Sequence, residues 1–95
     1  MSRKDRRCVT YVVLEPEVEA HLYERRRGRR SLGDMVRRAV EAGLAREDLG
    51  VGPVPAIGRR LPVQLPARVE VALAADGRDR AMLIQSAMMV GLNLA

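Results

Sequence analysis

The sequence predicts a mainly α fold carrying one two-stranded antiparallel ribbon, in the order β-α-α-linker-β-α-α. Three observations point there: an internal repeat, a strand-like run at the head of each copy, and a Gly/Pro-rich stretch between the copies. The first copy reads VTYVVLEPEVEAHL over residues 9–22 and, past an Arg-rich turn, SLGDMVRRAVEAGL over 31–44. The second reads RLPVQLPARVEVAL over 60–73 and DRAMLIQSAMMVGL over 79–92. Leu14, Val18, Glu19 and Leu22 recur 51 positions later as Leu65, Val69, Glu70 and Leu73. Met35, Val36, Ala39, Val40, Gly43 and Leu44 recur 48 positions later as Leu83, Ile84, Ala87, Met88, Gly91 and Leu92. The difference between the two offsets falls in the turn, where a change of length costs least.

The elements follow in order. Residues 1–7 hold Arg3, Lys4, Arg6 and Arg7 and form a basic arm. The first unit, 8–44, opens with β-branched residues over 9–14, a strand pattern. Pro16 then suits the first turn of a helix, and Glu17 and Glu19 suit its positive end. That helix is expected to run to about Arg26 and to be broken by Gly28. Ser31 with Asp34 forms a capping box for a second helix, whose apolar positions Leu32, Met35, Val36, Ala39, Val40, Gly43 and Leu44 share one face. Residues 45–58 carry Gly and Pro repeatedly and read as a linker long enough to return the second strand beside the first. In the second unit, 59–95, Leu61, Val63 and Leu65 alternate with Arg60, Pro62 and Gln64, so the first set points inward and the second outward. The repeat register turns Thr10, Val12 and Leu14 inward on the first strand, and Val9, Tyr11 and Val13 outward. Pro62 has no ladder donor and is expected where no bond is required. Asp79 takes the cap position matching Ser31, and the last helix is expected to run from Arg80 to about Asn93. A lone strand with two helices cannot bury its apolar face, so the strands pair and the helices close beneath them.

Composition bounds the function. The chain has 95 residues, 47% of them hydrophobic and 31% charged, the balance of a small globular domain or of two very small units sharing a core. Lys and Arg number 17 against 12 Asp and Glu, a net charge of +5, and Lys4 is the only lysine. Arginine suits bidentate contact with phosphate or with a guanine edge. With no Trp, no Phe and two Tyr, the chain lacks the stacking platforms that single-stranded nucleic acid needs. A chain this short and poor in aromatics encloses no deep pocket, so neither a cofactor nor a small-molecule ligand is expected. Cys8 is the only cysteine, which excludes an internal disulfide and suits a reducing cytosol. Cys8 reads as a packing thiol at a strand end or, beside so many arginines, as a reactive one. One Cys and the single His21 cannot supply a usual metal set, and no phosphate loop or nucleophile elbow is present, so enzyme chemistry is not expected. The charged N-terminus is no signal peptide, and the apolar segment 81–95, interrupted by Gln85, Ser86 and Asn93, is too short and polar to span a bilayer. The expected location is cytoplasmic, on nucleoid or plasmid.

The strand, the run Leu14-Glu15-Pro16-Glu17-Val18 with Leu22 following, the Arg/Gly turn and the Ser31-capped helix ending in RRAVEAGL together resemble the ribbon-helix-helix family of bacterial DNA-binding proteins. The first half resembles it well and the second more loosely, together over about residues 8–44 and 59–93. Two units in one chain resemble the tandem form of that family, which includes relaxosome accessory proteins of conjugative plasmids. The resemblance implies a tandem ribbon-helix-helix pseudo-dimer, with double-stranded DNA as the partner and the ribbon in the major groove.

A two-stranded ribbon fits that groove. Of the outward residues, Arg60 suits guanine and Gln64 adenine, Tyr11 offers its hydroxyl, Pro62 shares the face, and Val9 and Val13 either touch thymine methyls or pack. The second helix of each unit offers its first N–H groups to a phosphate. Ser31 and Leu32 mark one such end, with Arg29 and Arg30 in support; Asp79 and Arg80 mark the other, with Arg78. Asp79 repels phosphate, so the second clamp is expected to be the weaker. Arg25, Arg26 and Arg27 read as a solvated helix end, and Arg3, Lys4, Arg6 and Arg7 as an arm along the DNA backbone. Because the two strands differ, the site read is asymmetric. Met82 and Met89 replace Asp34 and Glu41 of the first unit, either buried under the linker or serving side-by-side contact between neighbouring molecules. The expected function is sequence-specific binding of duplex DNA as a transcriptional repressor. The alternatives are a relaxosome accessory protein at a transfer origin and an antitoxin-type DNA-binding protein.

Overall fold

Alternation of apolar and polar residues along a short β-branched run forms a strand only where a partner covers one face. In the computed structural model, which describes residues 8–26, 28 and 31–94, that partner is the matching run of the other half. The chain runs β1 (Cys8–Leu14), α1 (Pro16–Arg25), α2 (Leu32–Leu44), β2 (Arg59–Leu65), α3 (Ala67–Asp76) and α4 (Arg80–Gly91). β1 and β2 are antiparallel, with Val9 opposite Gln64, Tyr11 opposite Pro62 and Val13 opposite Arg60. Val12, Leu14, Leu61, Val63 and Leu65 are buried on the inner face, and Thr10 is half-buried there. Below them lie Val18 and Leu22 of α1, Val36 and Val40 of α2, Val69 and Leu73 of α3, and Leu83, Ile84 and Met88 of α4. Full burial of such a side chain stabilises by about 1.5–3 kcal/mol, so one shared core of this kind is what a short chain requires.

α2 and α4 start where their sequence provides for the orphan N–H groups. The Ser31 hydroxyl accepts a hydrogen bond from the Asp34 N–H at 3.1 Å, and the Asp79 carboxylate accepts one from the Met82 N–H at 2.9 Å. The Asp34 carboxylate of the expected capping box is engaged by Arg37 and Arg38. α1 and α3 enter through Pro16 and Pro66 respectively. α4 ends at Gly91, two residues short of the expected Asn93, because Asn93 turns left-handed at φ 63°. The Leu94 N–H then reaches back to the Met89 carbonyl at 2.8 Å and the Asn93 N–H to Val90 at 3.0 Å, closing the helix end.

α2 and α4 cross at two glycines. A β-carbon on Gly43 would stand 2.0 Å from the Ala87 carbonyl oxygen, and one on Gly91 would stand 1.9 Å from that of Ala39. Since Ala39 and Ala87 are themselves repeat partners, the two contacts are the same contact made twice. Only glycine permits backbones this close.

The fold departs from the class expected from the sequence at the connection between the halves. That class treated 45–58 as a linker between two matching units. The observed order is β-α-α-β-α-α, compatible with tandem ribbon-helix-helix units, but the connection 45–58 is part of the core rather than a spacer between two self-contained units. Leu49 is buried and Val51 packs against the core. The Gly52 N–H donates to the Ser86 hydroxyl at 2.9 Å, and Arg78 donates to the Leu49 carbonyl at 2.9 Å. The Gly and Pro residues of this stretch bend it; its Leu and Val fasten it.

Candidate nucleic-acid interface

Period-two geometry, with the core on one side of the ribbon, leaves six side chains on the other. Val9 and Tyr11 are 51% and 52% exposed, Val13 is half-buried, and Arg60, Pro62 and Gln64 are exposed. The structure therefore brings all six sequence-predicted base-reading positions onto one surface. They form three rows, Val9–Gln64, Tyr11–Pro62 and Val13–Arg60. Tyr11 and Pro62 are also repeat partners, so the middle row lies at the centre of the ribbon.

The rows differ in chemistry. The Arg60 guanidinium lies over the Tyr11 ring, 4.7 Å from its centroid. At an exposed site such stacking is worth about 0.5–1 kcal/mol and limits the orientations of the cation. Val13 packs beside the entry to β2: a β-carbon on Gly58, whose φ is +152°, would lie 2.7 Å from Val13 Cγ1 and 2.7 Å from the Leu14 carbonyl oxygen. Val9, by contrast, lies open. Arg59, which precedes Arg60, pairs with Glu19 of α1 at 2.6 Å, and the Glu19 carboxylate raises the Arg59 pKa above its ordinary value.

Sequence reasoning missed Gln85. It is 4% exposed, and its carboxamide grips the outer edge of β1. Nε2 donates to the Val13 carbonyl at 2.7 Å, and Oε1 accepts from the Val13 N–H at 3.1 Å. Val13 thus points both backbone groups away from β2. By the alternation of antiparallel ladders, Tyr11 and Pro62 form a row of the same kind, so the N–H that Pro62 lacks is not one the ladder needs. The available signal was a lone carboxamide in the run LIQSAMM, where the only other polar residue is a serine.

The N-terminus of α2 flanks the ribbon. Gly33 stands beside the Pro62 carbonyl, and Ser31, Asp34 and Arg37 line a shallow cleft with Pro62, Val63 and Gln64. Ser31 is exposed at this end and Leu32 turns into the core. Arg37 and Arg38 hold the Asp34 carboxyl below its ordinary pKa, Arg37 by the larger effect. Arg29 and Arg30, with the arm residues Arg3, Lys4, Arg6 and Arg7, lie outside the described residues, as does Arg27. Arg25 and Arg26 are exposed at the end of α1.

The N-terminus of α4 is electrostatically different. Arg78 forks onto Asp76 at 2.6 and 2.8 Å, and the Asp76 carboxyl is held below its ordinary pKa by that contact. Arg80 forks onto Glu70 at 2.6 and 2.9 Å. Asp79 caps the helix between them. Each of the three predicted phosphate contacts here is therefore engaged within the second half. Met82 and Met89 are half-buried, and Met89 packs against the core.

Among the described residues no helix is long and apolar enough to cross a membrane, and no cluster of His, Cys, Asp and Glu could hold a metal ion. No family model, curated protein or solved structure matches the chain.

Proposed function

We propose that this protein binds double-stranded DNA in a sequence-specific way, with the outer face of the β1–β2 ribbon in the major groove, and acts as a transcriptional repressor. The observation that carries this reading is the placement of Arg60, Gln64 and Tyr11 on the one ribbon face that the core does not cover. A groove about 12 Å wide admits two strands, and an arginine and a glutamine edge match guanine and adenine. The N–H groups of α2 beside Pro62 and Gln64 meet a phosphate of the groove wall, and the net charge of +5 favours the encounter. The likeness to the ribbon-helix-helix family, carried by the residues quoted above, supports the same mode. A protein working this way acts in the cytoplasm on nucleoid or plasmid DNA.

Selection from a random duplex pool followed by footprinting tests the reading. Enrichment of one asymmetric sequence, protected over a promoter, supports it. Protection beside a nick site would move the role to a transfer origin. Absence of any enriched duplex at moderate salt would sink DNA binding altogether.

A further inference from the structure

The two ends of the ribbon are not held alike. At the Val13–Arg60 end, the Gln85 carboxamide behaves as a surrogate strand residue, taking both backbone groups of Val13 from the outside while Arg60 lies across the ladder. On the β2 side the backbone of Gly58 lies so close that a β-carbon there would collide with Val13 and Leu14. This end is gripped from both directions. The position matching Val13 in the other half is Gln64, and the residue matching Gln85 is Arg37. Arg37 is turned to Asp34 and Glu41 on its own helix. Among the described residues no side chain bonds to the backbone of Gln64 as Gln85 does to Val13. A buried carboxamide with both halves satisfied is rigid, since leaving either half unpaired costs more than a surface bond returns.

We infer that Gln85 is a positioning residue that fixes the height and twist of the Val13–Arg60 end of the ribbon, so that bases under Arg60 are read stringently and bases under Gln64 permissively. This rests on the DNA-binding reading above. It adds a buried residue, behind the ribbon rather than on its outer face, that sets which part of the site tolerates change. A reader held at one orientation loses its bond outright when the base changes; a loosely held one shifts to the next acceptor.

The test uses the full chain and its selected duplex. Arg60→Ala and Gln64→Ala first assign the base pair under each end. Single base-pair changes are then titrated against the wild type, Gln85→Met, which keeps the volume and removes the carboxamide, and Arg37→Gln, which places a carboxamide at the matching position of the other half. For the wild type, a change under Arg60 is expected to weaken binding about ten- to hundredfold, and one under Gln64 several-fold less than that. In Gln85→Met the first penalty falls to the level of the second, while affinity for an unrelated duplex stays within about twofold. In Arg37→Gln the penalty at the Gln64 end rises.

Equal penalties at both ends of the wild type, or an unchanged profile in Gln85→Met, would overturn the inference and leave DNA binding standing. So would equal losses on selected and unrelated duplexes, which mark a merely structural role. A wild type that selects no duplex overturns the DNA-binding reading, and the inference falls with it. Should Gln85→Met fail to fold, the wild-type comparison and Arg37→Gln still decide.

Discussion

Gly43 and Ala87 meet backbone to backbone, with room for no β-carbon between them. Gly43→Ala is therefore expected to destabilise the fold by about 1–3 kcal/mol through forced separation of α2 and α4, and Gly91→Ala by a similar amount against Ala39. Gly50 has nothing within 4 Å of a β-carbon, and Gly50→Ala should stay within about 0.5 kcal/mol. Urea midpoints of the three variants check this. Equal midpoints would mean that the helices cross with space to spare.

Arg60 stands over Tyr11, and in the proposed binding mode it is the ribbon residue suited to guanine. Arg60→Ala should cost about 1–3 kcal/mol and relax preference at a single base position. Tyr11→Phe keeps the ring under the cation and should retain that preference. Tyr11→Ala should blunt it. A competition titration over single-base variants of the selected duplex separates the three, and a uniform loss on every duplex would reassign Arg60 to the phosphates.

Asp79 places a carboxylate at the N-terminus of α4, where a phosphate would otherwise be welcome. Asparagine retains the capping oxygen. Asp79→Asn should tighten DNA binding about two- to fivefold at low salt, with the gain shrinking as salt rises. Titration at two salt concentrations measures it. No gain would mean that this helix end stands clear of the duplex.

Asp34, Asp48 and Asp76 all titrate below the ordinary value of 3.8, held there chiefly by hydrogen bonds from Arg37, Arg46 and Arg78 respectively. A carboxyl whose pKa is lower folded than unfolded contributes stability above the unfolded value and loses it as pH falls through the folded one. Stability should thus stay level from neutral pH until about 3.8 and decline below. Replacing Asp34 and Asp76 together by Asn should flatten that decline, as read from urea midpoints between pH 7 and 2. All three groups lie at the surface, so the slope will be shallow.

Much of this arrangement could be read from the residues. Leu14 and Leu65 at equal places in two copies led to paired strands, and the alternation of Leu61, Val63 and Leu65 set which side faced out. Ser31 and Asp79 marked two helix starts. What escaped depended on distance in sequence. Nothing near Gln85 announces that its partner is Val13, 72 positions away. In the stretch 45–58, Gly and Pro describe how the chain bends, while Leu49 and Val51 describe what it covers. The engagement of Arg78 and Arg80 is invisible in the sequence because their forks onto Asp76 and Glu70 need the folded geometry to form.

Both strands of the ribbon belong to one polypeptide, with Tyr11 facing Pro62 at its middle. In an assembly of two identical chains every substitution appears twice, once on each side of the axis. Here it appears once. In the proposed binding mode, evolution can thus alter the letter read on one flank while leaving the opposite flank untouched.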